Sequence, residues 1–528
     1  MTVPTLDQIQ GALLYPDRFW SGGTVTYSIP TTGSLWPGYD PGDEPENADF
    51  GVLTSDQADR VRIAMALWDR VVNIHLLETN DVSNPGQIRV AFTDVNDYTN
   101  NPDTGAYAYS PPLNGGTGGA WNGDVWLDAD MKSLNFVDRT YEYMTLLHEI
   151  GHALGLKHPF EGDVTLPADY DTTRYTVMSY TDYKDGVWVD IEKVNGVDTL
   201  VQRYVAPYTP MVFDIAALQA RYGADTTTNA DDTTYTIITD PVMRTFYDAG
   251  GIDTFDLTAH TRGSMIDLTP GSYSSTAYWS AADQAKYWTD LHPDMAASIA
   301  QVFADPKVYT WSYNLGLAYG TVIENVKAGS GNDTVMGNDV DNVIEGNGGQ
   351  DYLRGGAGND TLMGGDDFDD LNGNVGNDTE YGGNGADWVV GGKDNDQLYG
   401  ESGNDIVYGN LGNDTISGGD GADWVRGGQG DDSVSGGAGD DLIYGDRGND
   451  TISGGAGADA FHSFGDAGID RVIDFNRAEG DRVILDPGTA YTVAQSGADV
   501  VISMTGGAQM ILTGVSLSSL SDGWITVG

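Results

Sequence analysis

Two rhythms of apolar residues divide this chain. Between Asp333 and Asp459 an apolar side chain returns every nine residues: Val335, Ile344, Leu353, Leu362 and Leu371, then, past a single Glu380, Val389, Leu398, Val407, Ile416, Val425, Val434, Ile443, Ile452 and Phe461. Nine fits neither the helical period of 3.6 nor the strand period of 2. It is the spacing of a stacked repeat in which each nonapeptide forms half a coil with one residue pointing inward, and residues eighteen apart stack ~4.8 Å apart in a parallel sheet. Ahead of this region the patterning is that of ordinary elements. Thr24–Pro30 predicts a strand. Thr54 and Gln57 form a capping box that opens a helix, with Ala58, Val61, Met65, Trp68 and Val72 spaced at three and four. Gln87–Phe92 and Thr104–Tyr109 predict strands. A helix starts at Asp138 or Thr140 and ends at Gly155, and a last one runs from Pro210 to Tyr222 with Gly223 beyond it. Residues 272–312, rich in Ala, Tyr and Trp, predict a partly helical insertion. After Asp459, residues 470–485, 499–504 and 509–512 alternate as strands of a meander that closes the open end.

The fold class expected is therefore multidomain: an α+β domain followed by an all-β parallel β-roll with a C-terminal β cap. The expected divisions are a lead or short propeptide at 1–23, the α+β domain at 24–225, a connecting segment at 226–328, the roll at 329–463 and the cap at 464–528. With 528 residues the chain is long enough for this.

Charge narrows the function. The 79 acidic and 25 basic residues leave a net charge of −54, which repels nucleic acid. There is no cysteine, so neither disulfides nor thiolate metal ligands exist. No apolar run approaches the length of a membrane span, and the first residues do not read as a Sec-type signal peptide.

Chemistry is concentrated in His148-Glu149-Ile-Gly-His152-Ala-Leu-Gly155-Leu-Lys-His158, an H-E-x-x-H-x-x-G-x-x-H run that uses three of the chain's seven histidines. On a helix His148 and His152 share one face, and Gly155 permits the left-handed turn that brings back His158. Three imidazoles hold one zinc ion and leave a fourth position for water. Glu149, about 60° round the helix from His152, is placed to act as general base. Twenty residues on, Thr176-Val177-Met178-Ser179-Tyr180 matches the methionine turn that lies beneath the zinc in metzincins.

The repeat has its own chemistry. Asp333, Asp351, Asp360, Asp369, Asp378, Asp387, Asp396, Asp405, Asp414, Asp423, Asp432, Asp441, Asp450 and Asp459 keep the nine-residue register, with Asn342 in the one remaining place. This is the G-G-x-G-x-D-x-U-x calcium nonapeptide of RTX proteins. Carboxylates and turn carbonyls, among them those of Gly329, Gly331, Gly346, Gly348 and Gly355, supply the oxygens that calcium takes. Fifteen registers offer at most thirteen ions if each sits between the turns of repeats n and n+2. Asn342 weakens its own site. Glu380 is expected to swing outward or bend the coil, because burying it unpaired is costly. Tyr352, Trp388 and Trp424 each follow a repeat aspartate and recur every 36 residues, which places them ~9.6 Å apart on one sheet face as a possible ladder for a glycan or cell-surface layer.

Together these motifs resemble the serralysins, metzincin zinc proteases joined to an RTX roll. The resemblance rests on 148–159 and 177–180, on D-I-A-A-L-Q-A-R-Y-G-A at 214–224, D-A-G-G-I-D-T-F-D at 248–256, I-E-N-V-K-A-G-S-G-N-D at 323–333 and G-G-A-G-A-D-A-F at 454–461. It implies a secreted zinc endopeptidase that leaves Gram-negative cells through an ABC-type channel and a C-terminal signal. It also implies Tyr180 at the transition state and calcium at Asp248, Gly250, Asp253 and Glu324 as well as along the repeats. Substrate is expected to be protein or peptide, extended along the edge strand Ala106, Tyr107, Ala108 and Tyr109. A protein inhibitor is a conceivable partner, and a monomer is expected. The roll is longer than is usual for the family, and 272–312 has no counterpart in it. The alternative reading is a calcium-dependent surface or adhesive protein in which proteolysis is secondary.

Overall fold

The computed structural model describes residues 3–34, 36, 50–95, 105–116, 119, 121–183, 186–520 and 522–528. Thr104, the first residue of the expected strand Thr104–Tyr109, lies outside these residues.

Five strands form the sheet of the N-terminal region, in the order His75–Glu78, Thr24–Ser28, Ile88–Thr93, Val125–Asp128, Ala106–Ala108. All pairs are parallel except the last, where Ala106–Ala108 runs antiparallel to Val125–Asp128 and forms the edge of the sheet among the described residues. Helix Ser55–Asp69 begins at the Thr54 capping box as expected and buries Val61, Met65 and Trp68. Helices Tyr141–Leu154 and Val212–Tyr222 share the same core with Phe92, Leu127 and Phe213.

Residues 3–23, within the segment expected as a lead or short propeptide, pack onto this domain. Helix Leu6–Leu13 carries its own capping box, Thr5 with Gln8. It buries Ile9, Ala12 and Leu13 in the core of this domain. Leu14 bridges Leu156, and the Leu13 carbonyl accepts from Lys157 N at 2.8 Å, so the segment brackets the turn after the histidine helix.

The roll is built from two facing parallel sheets in which strands eighteen residues apart are neighbours: Leu353 pairs with Leu371, Val389 with Val407, Ile416 with Val434. The apolar repeat residues are buried between the sheets. The roll starts earlier than the regular repeat. Strands Thr234–Thr236, Thr254–Asp256 and Asn325–Lys327 are consecutive members of one sheet, and Met265–Asp267 pairs with Thr334–Met336 in the other. The first coil therefore abuts the coil at 325–336 directly, and residues 268–324 are an excursion between them. Within that excursion helices Ala281–Leu291 and Ala296–Phe303 pack on the hairpin Val187–Val194/Val197–Tyr204 through Ile299, Phe303, Val189 and Val308. The segment 226–328 thus belongs in good part to the roll.

At the other end, Ile469–Val472 and Arg482–Leu485 still pair in parallel with the last repeats, so they extend the roll rather than begin a meander. Antiparallel strands Gln509–Leu512, Asp499–Met504 and Tyr491–Ser496 then continue one sheet as the cap.

Glu380 overturns its expectation. It stays in register between Leu362 and Leu398, is fully buried, and neither carboxyl oxygen has a hydrogen-bond partner. The ladders on both sides fix the pleat, so an outward swing would cost backbone bonds on two neighbours at once. The apolar core is interrupted here, one cluster ending at Leu371 and the next beginning at Val389.

Candidate active site

Helix Tyr141–Leu154 is capped by Thr140 and buries Leu146, Leu147, Ile150 and Leu154, which fixes the face that carries His148 and His152. Gly155 ends it at φ +107°, and a Cβ there would meet the Arg18 carbonyl oxygen at 2.9 Å, so both conformation and space call for glycine. The turn delivers His158. Its Nε2 lies 3.1 Å from Nε2 of His152 and 3.3 Å from Nε2 of His148. Among the described residues this is the one group of three metal-ligating side chains within 4.8 Å of each other.

Each imidazole has its second nitrogen tied. Nδ1–H of His148 donates to Val177 O at 2.7 Å, that of His152 to Leu156 O at 2.9 Å, and that of His158 to Glu161 Oε1 at 2.7 Å. These bonds set the tautomer and direct all three Nε2 lone pairs to one point. Burial, and then the neighbouring imidazoles, disfavour protonation: His152 is pushed down to about 4 and His148 well below its ordinary value. Three imidazoles converging this way fit a zinc ion with an open position.

The methionine turn is held from below. Asp214, on helix Val212–Tyr222, accepts from Thr176 Oγ1 at 2.5 Å, Val177 N at 2.8 Å and Met211 N at 2.9 Å. Burial pushes its carboxyl up to about 7 against the pull of these bonds. Because the Val177 carbonyl orients His148, Asp214 positions a histidine it does not touch. Met178 is fully buried against Gly151, where a Cβ would meet its Sδ at 2.8 Å.

Glu149 is buried beside the histidines, its Oε2 has no partner, and burial pushes its carboxyl up to about 8. It lines a cleft of about 520 Å³ together with Gly105, Ala106, Met131, Leu134, Met144, His148 and Tyr180. Tyr180 is 68% exposed, with its ring 4.5 Å from that of His158 and 5.6 Å from that of His148. Of the edge-strand residues only Ala106 reaches the cleft. Ala108 packs toward the main core, and Tyr107 and Tyr109 turn to a separate cluster with Trp36 and Trp126. Glu161 and Asp214 were missed by the sequence reading. Glu161 stood three residues past His158 as a signal; Asp214 had none near the motif.

The repeat aspartates form a second kind of centre. From Asp351 to Asp459, thirteen carboxylates use Oδ1 to accept the backbone N–H of the residue eighteen earlier, at 2.7–3.0 Å. In all thirteen Oδ2 is buried with no partner. Burial pushes these carboxyls up, to about 8 at Asp351, Asp396 and Asp450. Each lies over the glycine five residues earlier, such as Gly346 under Asp351 and Gly355 under Asp360, where a Cβ would overlap the carboxylate. A row of orphaned, buried carboxylate oxygens fits a row of divalent cations. The first two registers differ. Asp333 is satisfied by the amides of Ser264 and Gly329. Asn342 is satisfied by Asn338 N and donates to Glu324 O. Gly331 packs against the backbone of Arg262 and Gly263, and Gly348 faces open space. Ahead of them Asp253 is fully buried with Oδ2 unpartnered; its N–H donates to Glu324, and Asp248 accepts from Gly250 N. Burial, then the nearby Asp248 and Glu324 charges, push Asp253 up to about 7.

The matrixin peptidase family matches residues 46–186, the serralysin C-terminal family 213–278, and the RTX calcium-binding nonapeptide repeat matches in overlapping stretches between 327 and 472. The chain is related to the serralysins. The serralysin of Photorhabdus luminescens is 30% identical over 327 residues, 56% of each chain. The metallopeptidase AprA of Pseudomonas marginalis is 30% identical over 322 residues, 56% of this chain and 57% of that one. Serralysin B of Dickeya chrysanthemi is 29% identical over 361 residues, 62% and 63%. The chain thus spans little more than half the length of the first two serralysin relatives. The aligned matrixin segment contains the three histidines, Glu149 and Met178.

Proposed function

We propose that the chain is a zinc-dependent endopeptidase whose RTX roll folds on calcium outside the cell. The observation that carries this reading is the convergence of three histidine Nε2 atoms, each fixed through Nδ1, beside a buried Glu149 with a free carboxyl oxygen in an open cleft. His148, His152 and His158 would hold the zinc, which when bound acidifies a water and polarises a carbonyl. Glu149 takes the water's proton and passes it to the leaving amine. The Tyr180 hydroxyl donates to the carbonyl oxygen as negative charge develops there. The peptide lies antiparallel along Ala106–Ala108, the sheet edge that borders the cleft among the described residues, and places a side chain toward Met131, Leu134 and Met144.

The thirteen orphaned Oδ2 atoms equal the number of n, n+2 turn pairs in fifteen registers, which supports one calcium per pair. The carboxylates at Asp248, Asp253 and Glu324 extend that row by an irregular site. No described helix is long and apolar enough to cross a membrane. Export through an ABC-type channel with a C-terminal signal follows from the family resemblance. It requires a roll that stays unfolded where calcium is scarce. The test is casein hydrolysis by the purified full chain with and without a zinc chelator, calcium held constant. Hydrolysis that persists with the histidine site stripped of metal refutes the reading.

A further inference from the structure

The outer faces of the roll's two sheets differ in the residues that open their strands. In each sheet the first residue of every repeat strand points away from the core. One sheet shows Val343, Thr361, Thr379, Gln397, Thr415, Ser433 and Thr451 in this row, hydroxyl or amide throughout after Val343; two positions further along their strands Tyr381 and Tyr399 stack on the same face at 5.1 Å. The other shows Tyr352, Asp370, Trp388, Ile406, Trp424 and Leu442. Charge divides the same way. All four cations of residues 329–463, namely Arg354, Lys393, Arg426 and Arg447, lie on strands of the aromatic sheet, beside two acids, Asp370 and Asp446. From Val343 to Ala456 the strands of the polar sheet hold no cation; apart from the buried Glu380 they carry Glu345, Asp366, Glu401 and Asp420. On a chain of net charge −54 this gathers these cations on one face, where Arg354, Arg426 and Arg447 are ion-paired to Asp370, Asp446 and Asp466.

The geometry of that face is regular. Tyr352, Trp388 and Trp424 are 42%, 48% and 43% exposed and occupy every second strand, ~9.6 Å apart. That interval is close to the length of one disaccharide in an extended polysaccharide. The arginines are fixed among the rings. The Arg354 guanidinium lies 3.5 Å over the Tyr352 ring, and that of Arg426 sits between Tyr408 and Tyr444 at 5.1 and 5.2 Å. Asp370 and Asp446 pin the two forks at 2.8 Å. Arg354 Nη1 also donates to the Leu353 and Asp370 carbonyls, while the more exposed Arg426 binds Asp446 through Nε and Nη2 and keeps its Nη1 donors for a ligand.

We propose that this face binds an extended anionic polysaccharide, with sugar rings stacked on Tyr352, Trp388 and Trp424 and acidic groups against the basic residues. A flat, open array of rings at a fixed interval suits a polymer with the same repeat. Charge complementarity selects an acidic polymer over a neutral one. The face lies on the roll, so the proposal stands apart from the peptidase reading.

The test uses the full chain at millimolar calcium. The probe is a set of hyaluronan oligosaccharides, with a carboxylate in every disaccharide, long enough to span all three rings at ~19 Å. Neutral chitin oligosaccharides of the same length serve for comparison. Titration calorimetry and tryptophan fluorescence report binding, and casein hydrolysis is followed in parallel. Hyaluronan is expected to bind, quench tryptophan and outcompete chitin. Trp388→Ser with Trp424→Ser should weaken it at least ~10-fold, as should Arg426→Gln to a smaller degree, while hydrolysis is unchanged. Trp388→Phe, which keeps a ring, retains binding and shows that the loss is not misfolding. Thr379→Ala with Thr415→Ala on the polar sheet should have no effect. No hyaluronan binding, equal binding of chitin, or binding indifferent to the tryptophans overturns the proposal.

Discussion

The histidine centre and the repeat centre both gather groups that suit a cation, and they treat those groups in opposite ways. Around His148, His152 and His158 the protein satisfies every ligand's second nitrogen with its own acceptors, on a scaffold with a large apolar core. In the roll each coil offers two inward apolar residues and leaves a carboxylate oxygen buried and unanswered, thirteen times over. The first centre can keep its shape without an ion. The second buries carboxylates in a low-dielectric place and, on the proposed reading, is stable only when something neutralises them. On that same reading the metal is a reagent in the N-terminal region and part of the fold in the roll.

Removing calcium from the full chain is the strongest way to break this comparison, and the largest effect expected. With a calcium-selective chelator, amides of 343–456 should lose hydrogen-exchange protection together while those of 141–154 keep it. Protection of the repeat strands in excess chelator would mean the roll stands without its ions. Glu149→Gln sharpens the other side. Zinc content should be unchanged and turnover should fall ~10²–10⁴-fold. His152→Ala should lose zinc and turnover together. Near-normal hydrolysis by the glutamine variant would remove Glu149 from its role.

Asp214→Ala tests whether the histidine centre depends on its support. It leaves the buried amides of Val177 and Met211 without their acceptor, at about 1–3 kcal/mol for each donor, and frees the Val177 carbonyl that orients His148. A lower melting temperature with weaker zinc affinity is expected. Unaltered zinc affinity would show that the methionine turn holds its shape unaided. Glu380→Leu is the smallest change and has the opposite sign. Replacing an unpartnered buried carboxyl with an apolar side chain should stabilise the roll by about 1–4 kcal/mol and lower the calcium midpoint. A higher midpoint would mean that Glu380 itself serves an ion.

What was legible in the sequence was whatever is periodic or local. The three histidines sit at spacings that a helix turn dictates, and the nine-residue period fixes strand, turn and coil at once. Contacts between distant segments left no such trace. Asp214 meets the methionine turn only because two helices share a core. Glu380 points inward because its neighbours' ladders hold the pleat, which residue polarity alone does not reveal. Two local signals were present and overlooked. One is the Thr5–Gln8 capping box of the first helix. The other is Asn195-Gly196, both at positive φ, which closes the hairpin between Val194 and Val197. The roll's early start escaped notice because residues 268–324 separate two coils that touch in space.

The pairing of residues eighteen apart gives the roll a parity. Adding or deleting two nonapeptides returns each later strand to its own sheet, so the roll can change length by whole coils. Adding or deleting one would exchange the sheets for everything downstream. Trp424 would cross to the side of the threonines, and strand Ile469–Val472, which leads into the cap, would arrive at the wrong sheet. Variation in this protein's length should therefore come in steps of eighteen residues, and a change of nine should disrupt the cap.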